Sequence, residues 1–186
     1  PEIHLLTNLV LLREKLAEKI IEMDVVDILG ISFDGGNPET FEEMRINAKW
    51  NIFYDNAKAF NRIRKAKNSS VKMTAISCIP SDKKRSIKWM HPEFQEIYKL
   101  LDWYELRRLH NWAGDIEQIK VPVKKHKIGC SLLMEQMVIL PNSDVTICCN
   151  DLKAKAVIGN ILKKDFIDIY NCEQRVHYLK LHLQGK

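Results

Sequence analysis

Two adjacent cysteines, Cys148 and Cys149, close an apolar stretch of the sequence and are followed by Asn150 and Asp151. Cysteine thiolates bind zinc and iron–sulfur clusters, and both kinds of site usually take four ligands. The chain contains five cysteines but no C-x-x-C pair, so a metal site here needs thiols from distant segments. The two cysteines could be core residues, a redox pair or part of such a metal site.

A β-hairpin predicted around the two cysteines separates their thiols. The stretches "EQMVIL" and "VTICC" are typical of strands, and "PNSD" between them favours a turn. Neighbouring side chains of a strand point to opposite faces. Cys149 then shares an apolar face with Val145 and Ile147, whereas Cys148 lies on the polar face. We therefore expect Cys149 to be a core residue and Cys148 to be available to a ligand.

A third thiol, that of Cys130, lies just ahead of the first hairpin strand. Because a hairpin folds back on itself, the start of its first strand lies near the end of its second. Cys130 and Cys148 can therefore approach each other and form half of a four-cysteine site for zinc or an iron–sulfur cluster. Cys172 alone cannot complete that site. Simple burial of these thiols is the alternative, since cysteine is often just a buried residue.

Strands and helices alternate in the first part of the chain, which predicts βαβ units and a parallel sheet. Loops at the carboxyl ends of such strands are where ligands bind. One helical pattern contains Leu12, Leu16, Ile20 and Met23 at helical spacing. A longer one carries a single apolar stripe of Phe41, Met44, Ala48, Ile52, Ala59 and Ile63. The predicted strands cover 2–7, 24–34, 71–79 and 103–109.

Several side chains at these strand ends could do chemistry. Ser32 and Asp34 follow the second strand and could hydrogen-bond a sugar or amino-acid ligand, although turn and capping roles are equally typical of them. Arg45 could pair with a carboxylate or lie on a helix surface. His110 and Trp112 could line a pocket or pack at the end of the fourth strand. An acid–base pair of Asp34 and His110 is a further hypothesis.

Composition narrows the class of protein. The net charge of +5 is mild and is spread over the 186 residues, so no basic face typical of nucleic-acid binding is expected. No apolar run is long enough to cross a bilayer, and no secretory signal is visible. An odd number of cysteines with this spacing favours a reducing cytoplasm. From the charge and the apolar runs, we expect neither a nucleic acid nor a membrane as partner.

Three stretches together resemble one family. "IHLLTNLVLL", "ILGISFDGGNPETFEEMR" and "C…MVILPNSDVTICCNDLKAKAVIGNILKKDFIDIYN" are similar, in order and spacing, to the later part of radical S-adenosylmethionine enzymes with a SPASM or twitch extension. The resemblance implies an α/β fold, with 1–115 as the later strands of a partial (β/α) TIM-like barrel. A β-hairpin and helix extension, 116–186, follows.

The resemblance also implies chemistry. Such enzymes hold a [4Fe–4S] cluster by a C-x-x-x-C-x-x-C motif, cleave S-adenosylmethionine reductively and abstract hydrogen from a peptide or small-molecule substrate. Flavodoxin or ferredoxin is a typical electron donor. This chain has no C-x-x-x-C-x-x-C motif, so we expect that it cannot perform the reaction alone and assign it no catalytic residue. The alternative is a ligand-binding barrel without a cluster, whose cysteines are structural or bind zinc.

The resemblance further assigns site residues. Ser32 takes the position that contacts the cofactor ribose, Asp34 lies beside it, and Arg45 makes a cofactor or structural contact. Cys130 and Cys148 take two ligand positions of an auxiliary [4Fe–4S] cluster, whose remaining ligands are expected beyond Lys186. At the hairpin turn, the family often has a glycine where this chain has a serine, at position 143.

Overall fold

Four parallel strands form the sheet of the first unit. The computed structural model describes residues 2–80, 82–109, 130–151 and 153–184, and the chain divides into two compact units, Pro1–Leu109 and His110–Lys186. The strand order is β1-β2-β3-β4, with every neighbouring pair parallel, as the alternation predicts. The strands are β1 (His4–Thr7), β2 (Ile28–Ile31), β3 (Lys72–Ile79) and β4 (Trp103–Arg108).

Helices connect these strands and bury one face of the sheet. They are α1 (Glu14–Met23), α2 (Pro38–Met44), α3 (Trp50–Ala66) and α4 (Pro92–Leu100), with a 3₁₀ turn at Ile87–Trp89. Phe33 is fully buried, and its ring lies 5.3 Å from that of Phe53 and 4.7 Å from that of Tyr98. On the other face Leu6, Ile76 and Trp103 are exposed. The sheet therefore has a helix-covered side and an open side.

The buried faces of the helices differ from the predicted stripes. In α1, Leu16 and Met23 are exposed while Ala17 and Ile21 are buried. The predicted long stripe is wrong as well, because two helices occupy that region and Asn47 between them adopts a left-handed conformation (φ 67°). That break resets the helical phase. The core face of α3 is then Phe53, Ala57, Phe60 and Ile63, with Ile52 exposed and Ala59 half-buried.

A buried guanidinium ties the end of α3 to the sheet. Arg64 donates to the carbonyls of Val71 (3.1 Å) and Leu100 (2.9 Å) and to the Asp102 carboxylate (2.5 Å). The same Asp102 oxygen accepts the Met73 N–H at 2.7 Å. Partial burial acts to raise the pKa of Asp102, but the hydrogen bonds from Met73 and Arg64 outweigh it. The pKa of Asp102 is therefore lower than that of an ordinary aspartate side chain.

This network predicts a loss of stability in acid. Because the pKa of Asp102 is lower in the folded state, its ionised form stabilises the fold above the unfolded-state pKa, and this contribution disappears as pH falls through the folded-state pKa. We expect the urea midpoint of the wild type to fall below about pH 4 more steeply than that of Asp102→Asn. Tryptophan fluorescence measures it, since Trp50 stacks on Phe94 in this unit. Parallel pH profiles of the two proteins would contradict the expectation.

The described residues of the second unit form a small antiparallel sheet with three helices. Its strands are β5 (Val138–Ile139), β6 (Asp144–Thr146) and β7 (Val157–Asn160), in the order β5-β6-β7. The hairpin of β5 and β6 is the predicted one, whereas β7 is a strand that the sequence pattern did not reveal. Val145, Ile158 and Ile169 form its core. The helices are α5 (Ser131–Glu135), α6 (Phe166–Tyr170) and α7 (Glu173–Leu183).

Some predictions fall on residues 110–129, outside the described residues. These are the predictions for His110 and Trp112 at the end of the fourth strand. The predicted boundary between 115 and 116 lies there too and stays a prediction. Within the described ranges, none of the helices combines the length and apolar character that crossing a membrane requires.

Candidate functional site

The first candidate site lies where the parallel strands end. Ser32 follows β2 directly, is half-buried, and its N–H donates to the Thr7 carbonyl at 2.9 Å. Asp34 is buried, receives a hydrogen bond from the Arg45 guanidinium, and accepts the Cys78 N–H at 2.6 Å. The structure thus brings Ser32, Asp34 and Arg45 to one edge of the sheet. Their cofactor contacts stay a prediction.

The loop after β2 and the start of α2 place Arg45. Asn37 caps α2, its side chain accepting the Thr40 N–H at 2.8 Å, and Pro38 takes the first helical position. Gly35 has φ 91°, and a Cβ there would come within 2.6 Å of the Thr40 hydroxyl oxygen. Only glycine suits both constraints. Arg45 directly follows the last residue of α2, and its side chain pairs with the buried Asp34.

Cys78 belongs to the same edge. It is half-buried in β3, in register with Arg107 of β4. Burial, and then the charge of Asp34, raise the pKa of the Cys78 thiol. The thiol is therefore protonated at neutral pH, which gives it neither the nucleophile nor the metal-ligand character of a thiolate.

Asp34→Ala tests how much the Asp34–Arg45 pair holds this edge together. The change leaves a largely buried guanidinium and the Cys78 N–H without their partner. We expect the free energy of unfolding to fall by about 2–3 kcal/mol. Urea unfolding followed by tryptophan fluorescence measures it. Asp82→Ala is the matched control, because the Asp82 side chain is 70% exposed and its loss should change stability by less than about 0.5 kcal/mol. Equal effects of the two changes would refute the role assigned to Asp34.

The second candidate site is a cavity of about 190 Å³ in the second unit. Apolar side chains, among them Leu133, Val138 and Ile147, form much of its wall. Thiols, an imidazole and other polar side chains complete the lining: Cys130, Gln136, Cys148, Cys149, Asn150, Tyr178 and His182. The structure therefore brings the two predicted ligands, Cys130 and Cys148, to one cavity. Their role as metal ligands stays a prediction.

The prediction that Cys149 is a core residue is wrong. β6 ends at Thr146, and the register of β6 against β7 shifts between Val145 and Thr146. The alternation of faces therefore does not extend to the cysteines, which lie beyond the strand. Cys149 is exposed, whereas Cys148 is half-buried.

Asp151 holds the turn that follows the cysteines. Its carboxylate accepts the N–H groups of Lys155 (2.9 Å) and Ala156 (2.8 Å) and the hydroxyl of Thr146 (2.8 Å). Partial burial acts to raise the pKa of Asp151, but these hydrogen bonds prevail and lower it. Inside the turn, the Asn150 N–H donates to the sulfur of Cys148 at 3.4 Å. Hydrogen bonds of this kind stabilise thiolates that bind iron–sulfur clusters.

The remaining thiols of this unit have distinct surroundings. Cys130 precedes α5, and its N–H donates to Nε2 of His182 on α7 at 2.7 Å. Cys172 instead caps α7, its sulfur accepting the Arg175 N–H at 3.4 Å, and packs against the core. Sequence reasoning missed His182. The available signal was its spacing of four residues from Tyr178, which places both on one helical face.

These residues fit an iron–sulfur cluster in donor type and surroundings. Thiolates are the ligands that such clusters take, and the walls around them are largely apolar. Among the described residues, no three His, Cys, Asp or Glu side chains form a group that could hold a single metal ion. Cys130 and Cys148 nevertheless line the same cavity, and this shared lining is the observation that supports an iron–sulfur cluster here.

The turn between β5 and β6 is strained. Ser143 has φ 70°, a left-handed conformation that favours glycine, and this is the turn position at which the family resemblance expects one. We expect Ser143→Gly to stabilise the unit by about 0.5–1 kcal/mol. Native-state hydrogen exchange of the Val145 and Gly159 amides, which belong to paired strands, measures it. Ser143→Ala is the control and should give no gain, since alanine also resists this φ. A gain with alanine as large as that with glycine would contradict strain as the cause.

Comparisons with known proteins give a family match for the second unit and structural matches over nearly the whole chain. Residues 130–185 match the SPASM family, an iron–sulfur cluster-binding domain. The chain is similar to native anSMEcpe with bound AdoMet (TM-score 0.57, 15% identity, 97% of this chain and 60% of that chain). It is also similar to SuiB of Streptococcus suis bound to S-adenosylmethionine (TM-score 0.56, 11% identity, 95% and 49%). No curated protein sequence matches the chain.

The matches confirm two predictions. The fold is a mixed α/β arrangement of the partial-barrel kind, shared with these structures over nearly the whole chain. The resemblance to radical S-adenosylmethionine enzymes with a SPASM extension is confirmed by the family match and by this fold. The chain spans 60% of the anSMEcpe structure and 49% of the SuiB structure.

Proposed function

We propose that this chain is part of a radical S-adenosylmethionine oxidoreductase or maturase. The SPASM match and the cavity shared by Cys130 and Cys148 carry the proposal. The C-x-x-x-C-x-x-C motif does not occur in the 186 residues, so the activity belongs to a whole protein in which that motif is present. In such a protein the motif's cluster supplies the electron that cleaves S-adenosylmethionine and so generates the 5′-deoxyadenosyl radical.

The first unit would bind the cofactor at its carboxyl edge. Ser32 is half-buried there, and its hydroxyl can hydrogen-bond a ribose hydroxyl. Asp34 already has the Arg45 guanidinium and the Cys78 N–H as partners, so its main effect is to hold that edge in place. Arg45 is paired with Asp34, but its buried Nε has no hydrogen-bond partner among the described residues and could donate to the carboxylate of the cofactor's methionine part.

The second unit would hold an auxiliary [4Fe–4S] cluster through Cys130 and Cys148. The cluster would accept or transfer an electron, or help to bind a peptide or small-molecule substrate. A flavodoxin or ferredoxin in a reducing cytoplasm is the corresponding electron donor. The peptide alternative has a precedent in one similar structure, anSMEcpe with bound AdoMet and Cp18Cys peptide (TM-score 0.52, 15% identity, 98% of this chain and 60% of that chain).

Anaerobic reconstitution with iron and sulfide tests the proposal. The 186-residue chain should bind both elements in equal amounts, show the visible absorption of an iron–sulfur cluster, and lose both after treatment with an iron chelator. The whole protein should release 5′-deoxyadenosine and methionine from S-adenosylmethionine after reduction. If the purified chain binds zinc and no iron, it is a metal-stabilised binding barrel instead.

A further inference from the structure

Cys149 lies outside the apolar core of the described part of the second unit. It is exposed, while the core of this unit consists of Val145, Ile158 and Ile169. In the same unit, the other cysteine outside the predicted pair is Cys172, which has a structural role as the cap of α7. Cys149 instead lines the cavity that also contains Cys130 and Cys148.

The backbone explains why two consecutive thiols reach one cavity. Beyond the end of β6 the chain makes a turn, closed by a hydrogen bond from the Asp151 N–H to the Cys148 carbonyl (3.1 Å). Side chains on such a turn do not alternate between two faces as they do on a strand. Ile147, Cys148, Cys149 and Asn150 therefore all contribute to the cavity wall.

Ligation by adjacent cysteines is compatible with a [4Fe–4S] cluster. A [4Fe–4S] cluster has four iron atoms, each of which takes one thiolate, so adjacent cysteines can bind different irons. Three thiols around a cavity of about 190 Å³ match that requirement. His182 also lines the cavity, but its Nε2 accepts the Cys130 N–H, so it positions Cys130 rather than offering that nitrogen to a metal.

We propose that Cys149 is a third thiolate ligand of the auxiliary cluster, beside Cys130 and Cys148. The inference rests on the cluster site proposed above. Each thiol would bind iron as a thiolate and release its proton to the solvent. This unit would then supply three of the four cysteines, and one further ligand would complete the cluster.

Differential alkylation tests the proposal without any activity measurement. The reduced chain is treated with iodoacetamide under argon before and after reconstitution, and mass spectrometry gives the labelling rate of each cysteine. We expect protection of Cys130, Cys148 and Cys149 by about tenfold or more in the reconstituted chain, because a thiolate bound to iron is not available as a nucleophile. Cys172 is the internal reference and should be labelled equally in both forms.

Variants separate ligation from mere proximity. Cys149→Ala should lower the iron retained per chain during gel filtration by about tenfold and change the electron paramagnetic resonance signal of the reduced cluster. Cys172→Ser, which keeps a capping acceptor at the start of α7, should behave as the wild type does. Circular dichroism of both variants checks that the unit is folded.

The outcomes distinguish this inference from the proposed function. If Cys148→Ala loses the cluster while Cys149→Ala retains it with an unchanged signal, the cluster site stands and the third ligand is refuted. Equal labelling of Cys149 before and after reconstitution also refutes it. A wild-type chain that binds no iron overturns both.

Discussion

Replacing Cys148 by alanine is expected to reduce the iron bound per reconstituted chain to near background. Cys148 is half-buried, and its sulfur already accepts the Asn150 N–H, which would stabilise a thiolate bound to iron. Changes outside the direct ligands typically cost about 10- to 100-fold in metal affinity, so loss of a ligand should cost at least as much. Iron and sulfide analysis of the desalted protein measures the effect, and the visible absorption should disappear with it.

The control for Cys148→Ala is Cys78→Ala in the other unit. The Cys78 thiol lies at the carboxyl edge of the parallel sheet, and the raised pKa of this thiol keeps it protonated at neutral pH. Iron content should therefore be unchanged by its loss. If Cys148→Ala binds as much iron and sulfide as the wild type, Cys148 is not a cluster ligand.

Arg64→Met should cause the largest loss of stability in the first unit. Arg64 is buried, and its guanidinium satisfies two backbone carbonyls, an amide oxygen and the Asp102 carboxylate. Methionine retains part of the volume but removes the guanidinium that donates to all of these acceptors. We expect the free energy of unfolding to fall by about 3 kcal/mol, at the lower end for broken buried pairs because the Asp102 side chain is 42% exposed.

Arg62→Met is a closely matched control, since Arg62 lies on the same helix. Its guanidinium forms an ion pair with Glu14, but both side chains are at least 60% exposed. Exposed pairs contribute about 0–1 kcal/mol, so this variant should be nearly as stable as the wild type. Urea unfolding followed by tryptophan fluorescence compares them. Losses of the same size in both variants would mean that burial of Arg64 has no special effect.

Local patterns predict much of this fold correctly. Apolar strands alternating with helical stretches indicate a parallel sheet because βαβ connections leave few other arrangements. The cap at Asn37 and the turn at "PNSD" also depend on residues only a few positions apart. The proximity of Cys130 and Cys148 follows from the same local geometry, since a hairpin brings the start of one strand near the end of the next.

Other features depend on contacts that a single segment does not encode. Which residues of α3 are buried is decided by the aromatic side chains that this helix meets and by the break at Asn47. The Arg64 network joins α3 to two other segments, one at Val71 and one at Leu100 and Asp102. Each of these requires the neighbouring elements to be in place first.

The cysteines include both features that the local sequence predicts and features that depend on tertiary contacts. The sequence by itself determined the hairpin and the approach of Cys130 and Cys148 to one cavity, because strand composition and turn residues act over short distances. Only the tertiary structure decided where β6 ends, since that depends on its pairing with β7 and on Asp151 capping the following turn. For that reason Cys149 lines the cavity instead of lying in the core. The packing of α7 likewise brings His182 to the Cys130 N–H, because these two residues are far apart in the sequence.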